Sequence, residues 1–330
     1  MKKTVAIIGT GAYGTALANV LADKGHQVIM YGIISAQVDD LNLKHENAQF
    51  FPGVKLNKSI KATTDLVACL ENAQYIILGV PTKALSSVLD EIGKYLKHEV
   101  VVINTAKGFD DQNVDLLSKM IVDRLKKTGY LKGYCGLYGP SIASEIIDRK
   151  PTFVNVASDE FWLAEQIADE FSNEYFFAKP SDDLPGCEVS AALKNVIAIS
   201  AGMFDAMELG DNAHASLLCL GLNEIMIMAE QFGAKADTFT NFATMGDLIL
   251  TASSKKSRNF SFGKKIIKTG SASKAQEDYG LTVEGVQSAE VAHKICLKYQ
   301  ISSPLFRSIY EIIYKDKNPN TLLNTLFVLY

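Results

Sequence analysis

The stretch that decides the fold lies near the N-terminus and reads Thr4-Val5-Ala6-Ile7-Ile8-Gly9-Thr10-Gly11-Ala12-Tyr13-Gly14-Thr15-Ala16-Leu17-Ala18-Asn19-Val20-Leu21. Its apolar run, glycine-rich turn and amphipathic continuation predict a buried strand, a turn and a helix. Gly9 permits the tight turn, Gly11 lets the backbone approach a ligand, and Gly14 lets the helix pack closely on the strand. Because a helix N-terminus attracts anions, the stretch favours binding of a dinucleotide pyrophosphate over a purely structural turn.

Length and charge narrow the class of protein. The chain has 330 residues, which predicts about two domains and a sizeable core. Hydrophobic residues make up 48% and charged residues 21%, as in a globular enzyme. The formal net charge of −4 argues against a nucleic-acid binder, which would present a basic face. An anionic substrate would therefore need a local basic cluster.

The cysteines and the N-terminus indicate a compartment. The five cysteines are odd in number and form no C-x-x-C pair, which favours a reducing environment and gives no metal-ligand pattern. Met1-Lys2-Lys3 runs directly into the first strand, so we expect no signal peptide. No apolar run reaches the ~18 residues of a membrane span, so we expect a cytoplasmic protein.

Apolar segments alternate with helical patterns along the first half of the chain. Strands are predicted at residues 4–8, 26–32, 74–80, 99–104, 134–138, 152–156 and 175–178, with helices between most of them. This alternation predicts a parallel, doubly wound sheet with ligands bound beyond the carboxyl ends of the strands, where Lys107 and Ser141 lie. From residue 188 to residue 329 the pattern is helical, with helices predicted at 189–204, 217–232, 237–250, 262–269, 284–299, 303–314 and 321–329. The predicted fold class is thus an α/β Rossmann-type domain at 1–185 followed by an all-α domain at 186–330.

The end of the second strand normally distinguishes NAD from NADP, through an acid for the ribose hydroxyl or a base for its phosphate. This chain has Ile33-Ile34-Ser35 there, which is neither. The choice between NAD and NADP therefore stays open.

Two lone charges stand in apolar surroundings in the second half. Lys194 lies in the predicted helix Ser190-Ala191-Ala192-Leu193-Lys194-Asn195-Val196-Ile197 and either extends to water or faces a polar site. A lysine in a partly dry cleft is a usable proton donor and acceptor. Asp247 could pair with Lys194 or could simply cap a helix.

Further polar groups follow along the chain. Lys255-Lys256-Ser257-Arg258-Asn259 is a compact cluster of donors suited to a phosphate, or else a solvated turn. Glu284 precedes Gly285 and could be an ordinary acid in the first turn of a helix.

Taken together and in order, these motifs resemble bacterial NAD(P)-dependent glycerol-3-phosphate dehydrogenase. The resemblance rests on Gly9-Thr10-Gly11-Ala12-Tyr13-Gly14, Thr105-Ala106-Lys107-Gly108, Gly139-Pro140-Ser141, Leu193-Lys194-Asn195-Val196-Ile197-Ala198, Gly246-Asp247-Leu248, Ser257-Arg258-Asn259 and Val283-Glu284-Gly285. It extends from the first strand to about residue 318.

The resemblance implies an activity and a set of site residues. It implies reversible reduction of dihydroxyacetone phosphate to sn-glycerol 3-phosphate with NAD or NADP and no metal, for phospholipid synthesis, by a cytoplasmic homodimer. Lys194 would be the general acid/base, with Lys107 and Asp247 also in the catalytic set. The implied substrate contacts are Lys107, Gly139, Ser141, Lys194, Asp247, Ser257, Arg258 and Asn259. The implied cofactor contacts are Gly9, Gly11, Ala12, Tyr13, Gly14, Lys107, Ala143, Arg258, Thr282 and Glu284.

The sequence departs from the family pattern at Ala12, Ile33, Ser141 and Thr282. The first two bear on the choice between NAD and NADP. Two other functions stay open: a related 3-hydroxyacid-type dehydrogenase with the same two-domain plan, and a sensor that binds NAD(P)H without turnover.

Overall fold

The computed structural model describes residues 2–110, 112–280 and 283–323. The chain folds into two compact units, the first made of residues 1–107 and 117–184 and the second of residues 108–116 and 185–330. The predicted helix at 321–329 lies mostly outside the described residues.

The strands are β1 Thr4–Ile8, β2 Gln27–Tyr31, β3 Lys61–Thr63, β4 Tyr75–Leu78, β5 Val100–Asn104, β6 Phe109–Asp110, β7 Asp115–Leu116, β8 Leu131–Tyr138, β9 Thr152–Ala157 and β10 Phe176–Ser181. The α-helices are α1 Ala12–Asp23, α2 Ser35–Asp39, α3 Leu66–Leu70, α4 Thr82–Tyr95, α5 Leu117–Lys126, α6 Ala143–Ile147, α7 Phe161–Phe171, α8 Leu184–Ala206, α9 Gly210–Glu230, α10 Asp247–Ser253, α11 Arg258–Thr269, α12 Ala272–Tyr279, α13 Glu284–Tyr299 and α14 Pro304–Lys315.

The first unit is built on an eight-stranded sheet in the order β10-β9-β8-β5-β4-β1-β2-β3. All residues of β4 and β5 are buried, as expected for central parallel strands that helices cover on both faces. Strands β1 to β5 and β8 run parallel, which confirms the Rossmann-type prediction. The order 2-1-4-5 places the carboxyl end of β1, where the glycine turn begins, between the ends of β2 and β4.

The sheet differs from the prediction at one edge, where β9 runs antiparallel to β8 and parallel to β10. A parallel return requires a crossover long enough to travel back along the sheet. The connection at 139–151 holds only the one-turn helix α6. The chain therefore turns back directly and pairs in the opposite direction.

The second unit is helical around α8, most of whose residues are fully buried. It also contains the short antiparallel hairpin β6–β7, so the all-α prediction misses this element. The helix predicted over 237–250 is broken into a 3₁₀ turn at Ala236–Thr240, a π turn at Phe242–Gly246 and α10. The break falls at Asn241, whose backbone is extended and whose side chain caps the following turn through Thr244 N.

Two glycines set the approach of α8 to α11. A Cβ on Gly202 would collide with the carbonyl oxygen of Phe260, and a Cβ on Gly263 would collide with that of Ile199. The two helices therefore cross with their backbones in contact, which brings the N-terminus of α11 beside the middle of α8.

The expectation that no segment is apolar enough for a membrane span is wrong for α8. This 23-residue helix is long and apolar enough by composition, but its apolar window is 100% buried inside the protein. A core helix satisfies the same criteria as a membrane span.

Candidate functional site

The glycine turn after β1 has the shape that a dinucleotide requires. Gly9 has a φ of +118°, and a Cβ there would lie 2.6 Å from the carbonyl oxygen of Gly79. A Cβ on Gly14 would lie 2.9 Å from the carbonyl oxygen of Gly9. At Gly11, by contrast, a Cβ would have no heavy atom within 4 Å. Gly9 and Gly14 are thus required by close packing, whereas Gly11 borders open space at the start of α1, where an anion would bind.

Two predicted site residues meet beside this turn. The hydroxyl of Tyr13, in the first turn of α1, lies 3.0 Å from that of Ser141. Ser141 also donates to the carbonyl oxygen of Gly139 at 2.9 Å. Gly139 has a φ of +153°, and a Cβ there would lie 2.8 Å from the Cα of Val154. The turn after β8 therefore needs glycine and faces the start of α1.

Ala12 and Ala143, the first residues of α1 and α6, both lie in the first unit. Both alanines are half-buried and pack against its apolar core. The predicted cofactor residue Thr282 lies outside the described residues.

Lys107 follows β5 on a segment that its neighbours hold in place. The Thr105 hydroxyl donates to the carbonyl oxygen of Leu78 at 2.8 Å, which joins the ends of β5 and β4. The Thr82 hydroxyl donates to the carbonyl oxygen of Lys107 at 3.2 Å. Asn104, fully buried, accepts from the backbone N–H of Ala106 at 3.0 Å. Lys107 thus sits at the carboxyl end of the sheet, as its position in the sequence predicts.

The second unit contains a buried ion pair. Lys194, on α8, is 3% exposed and its Nζ pairs with Oδ1 of Asp247, which is 2% exposed. Nζ also donates to Thr251 Oγ1 at 2.7 Å, and that hydroxyl lies 3.3 Å from Asp247 Oδ1. The predicted pairing is therefore confirmed, and Lys194 does not extend to bulk water. Asp247 opens α10, with Gly246 rather than Asp247 at the N-cap.

Thr251 was missed by the sequence analysis. It lies four residues after Asp247 and so on the same face of α10. That spacing is the only signal the sequence offers for it.

A second polar network surrounds the residue after Lys194. Asn195 donates to Glu284 Oε2 at 3.3 Å and accepts from Asn259 Nδ2 at 3.0 Å. Asn259 accepts in turn from the backbone N–H of Gly285 at 2.9 Å. A Cβ on Gly285 would lie 2.6 Å from the carbonyl oxygen of Asn195, so glycine allows the start of α13 to reach α8. The side chain of Asn195 links α8, α11 and α13.

The donor cluster forms the start of α11. Ser257 is its N-cap and accepts from the backbone N–H of Phe260 at 3.3 Å. The side chain of Arg258 is 55% exposed, and one of its nitrogens lies 3.7 Å from Glu284 Oε1. The structure thus brings Lys194 and Asp247 into direct contact, and it gathers Asn259, Glu284 and Arg258 into a second network around Asn195, the next residue on α8.

The family profile for the NAD-dependent glycerol-3-phosphate dehydrogenase N-terminus matches residues 4–163, and that for the C-terminus matches residues 183–324. The chain belongs to this family. The glycerol-3-phosphate dehydrogenase (NAD(P)+) of Mesoplasma florum is 53% identical over 326 residues, covering 99% of this chain and 98% of that protein. Its counterpart in Bacillus velezensis is 36% identical over 324 residues, covering 98% and 94%.

A solved structure agrees with these relatives. The crystal structure of glycerol-3-phosphate dehydrogenase from Coxiella burnetii superposes with a TM-score of 0.90 at 30% identity, covering 99% of both chains. The family resemblance, the fold class, the assignment as an oxidoreductase and the NAD(P) cofactor predicted from the motifs are all confirmed.

Proposed function

We propose that this member of the family reversibly reduces dihydroxyacetone phosphate to sn-glycerol 3-phosphate for glycerophospholipid synthesis, with Lys194 as the general acid/base. Residues 1–185 would bind the dinucleotide and residues 186–330 the substrate. One observation carries the proposal: Lys194, on the apolar helix α8, is buried and contacts Asp247 and Thr251 on α10.

The burial of this pair supports a chemical role. Removing an ammonium and a carboxylate from water costs several kcal/mol per ion, and well-packed apolar side chains often serve stability as well or better. Lys194 and Asp247 are both almost inaccessible to solvent. Ionisable groups buried together in this way are typical of active sites.

The glycine turn of Gly9, Gly11 and Gly14 would hold NAD(P)H, which would supply the hydride for C2 of the ketone. As negative charge builds on the C2 oxygen, Lys194 stabilises it and donates the proton, which is worth about 10²–10⁴-fold in rate. Asp247 and Thr251 both bind Nζ and so hold it in one position before the substrate arrives. In the reverse direction Lys194 accepts the proton from the C2 hydroxyl.

The start of α11 would hold the phosphate of the substrate. Arg258 offers a planar fork of donors, and Ser257 and Asn259 add neutral donors at a helix N-terminus with partial positive charge. This is the local basic cluster that a chain of net charge −4 needs for an anionic substrate. Holding the remote phosphate orients the reacting carbon.

The other site residues would contact either the substrate or the dinucleotide. Lys107, Gly139 and Ser141 would line the substrate, with Lys107 adding positive charge near the carbonyl. Gly9, Gly11, Ala12, Tyr13, Gly14 and Ala143 would contact the dinucleotide, together with Lys107, Arg258, Thr282 and Glu284. We further propose that the enzyme is a cytoplasmic homodimer.

Replacing Lys194 tests the proposal. We expect Lys194→Ala to fold and to bind NADH but to lose at least 100-fold in kcat, because the C2 oxygen would lack its proton donor. The matched control is Lys264→Ala, since Lys264 forms an exposed pair with Asp205 at 2.5 Å between α11 and α8. It should retain nearly full activity.

The assay is reduction of dihydroxyacetone phosphate followed by NADH absorbance. A Lys194→Ala enzyme with more than about a tenth of the wild-type rate would remove Lys194 from the mechanism. Wild-type turnover of a 3-hydroxy acid without turnover of dihydroxyacetone phosphate would contradict the substrate assignment. NADH binding without any turnover would instead indicate a sensor.

A further inference from the structure

The glycine turn is held from behind by the segment that follows β2. Asn47 is fully buried, and its Nδ2 donates to the carbonyl oxygen of Thr10 at 2.9 Å and to Thr15 Oγ1 at 2.8 Å. The Thr10 hydroxyl donates to Oε1 of Gln37 at 2.6 Å. We call Thr10, Thr15, Gln37 and Asn47 the turn clamp. Its four side chains fix the turn between Gly9 and the second turn of α1.

The clamp determines which way the peptide between Thr10 and Gly11 faces. This peptide is trans, so its C=O and N–H groups point in opposite directions. Because Asn47 binds the Thr10 carbonyl oxygen, the Gly11 N–H is directed away from Asn47. Gly11 also borders open space. The turn therefore has a closed side at Asn47 and directs an N–H group away from it.

Asn47 is itself firmly placed. Its own carbonyl oxygen accepts from the backbone N–H groups of Phe50 at 3.1 Å and Phe51 at 2.8 Å. Two residues earlier, the carbonyl oxygen of His45 accepts from Leu56 N at 2.8 Å.

The N–H groups of the Asn47 amide, and not its oxygen, make the hydrogen bonds of this side chain. Its Oδ1 is buried and has no hydrogen-bond partner among the described residues. A buried, unpaired amide oxygen is destabilising, so the two bonds made by Nδ2 are what favour asparagine at this position.

We propose that Asn47 is a positioning residue for the dinucleotide and sets the orientation of the pyrophosphate-binding turn before the cofactor arrives. A turn that is already in its bound conformation binds more tightly, because less order has to be gained on binding. The inference rests on the assigned NAD(P) cofactor and acts through the Thr10–Gly11 peptide and the Thr15 side chain. Asn47 would act from behind the turn without touching the cofactor.

The test compares Asn47→Ala with Asn42→Ala. Asn42 makes two hydrogen bonds of similar length to the backbone of Ala62, at 2.8 Å each, but these hold β3 rather than the turn. In titrations of the purified protein followed by NADH fluorescence, we expect Asn47→Ala to raise Kd about tenfold, equivalent to about 1.4 kcal/mol. Asn42→Ala should leave Kd within twofold of wild type.

Kinetics separate positioning from a general loss of structure. Asn47→Ala should raise KM for NADH while kcat at saturating NADH and KM for dihydroxyacetone phosphate stay within twofold. Thr15→Val keeps the shape of the side chain but removes one acceptor of Asn47, and should raise Kd about threefold. This second variant carries the test if Asn47→Ala does not fold.

Equal Kd values for Asn47→Ala and Asn42→Ala, or an unchanged Kd in Thr15→Val, would overturn the role of the clamp. A wild-type enzyme that binds NADH but does not reduce dihydroxyacetone phosphate would refute the proposed substrate instead. The NADH titrations would still decide the role of Asn47 in that case.

Discussion

Neutralising either Lys194 or Asp247 alone should lower the stability of the second unit, because the two side chains form a buried ion pair. In Lys194→Met the carboxylate of Asp247 loses the ammonium that it contacts, and in Asp247→Asn the ammonium loses the carboxylate. Both residues are at most 3% exposed, so water cannot replace the missing charge. Breaking a buried pair from one side costs about 3–5 kcal/mol. We expect about 4 kcal/mol for Lys194→Met and about 3 kcal/mol for Asp247→Asn, whose amide oxygen still accepts from Thr251.

The double variant Lys194→Met/Asp247→Asn should recover most of this loss. Methionine has nearly the length of lysine, and the pair is then neutral on both sides. We expect a total loss of about 1–2 kcal/mol, which gives a coupling energy of about 5 kcal/mol or more between the two sites. Activity should not recover, because the proton donor is absent.

Urea unfolding of the four proteins, with extrapolation to water, measures these values. Losses that simply add in the double variant would refute the reasoning, since the two charges would then not stabilise each other. Single losses below about 1 kcal/mol would show that water reaches the pair.

Three further predictions follow from other contacts. Arg258→Ala should raise KM for dihydroxyacetone phosphate at least tenfold but change that for phosphate-free dihydroxyacetone little; equal effects would contradict a phosphate contact. Burial, and then the neighbouring Asp23 carboxylate, raise the pKa of Tyr175 to about 12 from 10.0. The protonated phenol thus stabilises the fold fully below pH 10, and this contribution is lost between pH 10 and 12. Over that range the free energy of unfolding should fall more steeply with pH in wild type than in Tyr175→Phe. Parallel plots of unfolding free energy against pH would refute this. Buried Glu224 accepts from Ser303 Oγ at 2.5 Å and from the first backbone N–H groups of α14 at 2.8 and 3.0 Å. Glu224→Ala should therefore lower the free energy of unfolding in urea by about 3 kcal/mol. A loss below about 1 kcal/mol would show that water replaces the cap.

The parts of the fold that the sequence predicts are those with a local signal. Apolar runs such as Val100–Asn104 become buried strands wherever they pack, so β1, β2, β4 and β5 were predicted. The hairpin β6–β7 has two residues in each strand and depends on distant partners, for example the ring of Phe232, whose centroid lies 6.1 Å from that of Phe109. Such an element has no signal in its own sequence.

The site residues also differ in how clearly the sequence marks them. Lys194 and Asp247 are lone charges in apolar segments, and the cost of burying a charge makes each conspicuous. Thr251, Asn195 and Asn47 are neutral, and neutral polar residues occur equally well on a surface. Only the tertiary structure shows that Thr251 completes the Lys194 contact and that Asn47 reaches back to the glycine turn.

The hairpin also affects how the polypeptide is made. Residues 108–116 belong to the second unit, although the chain on both sides of them belongs to the first. Translation therefore delivers Phe109 and Leu116 long before the helices that shelter them, and the first unit must form with this apolar segment still uncovered. A nascent chain that stalls before α9 has emerged would expose these side chains to other proteins.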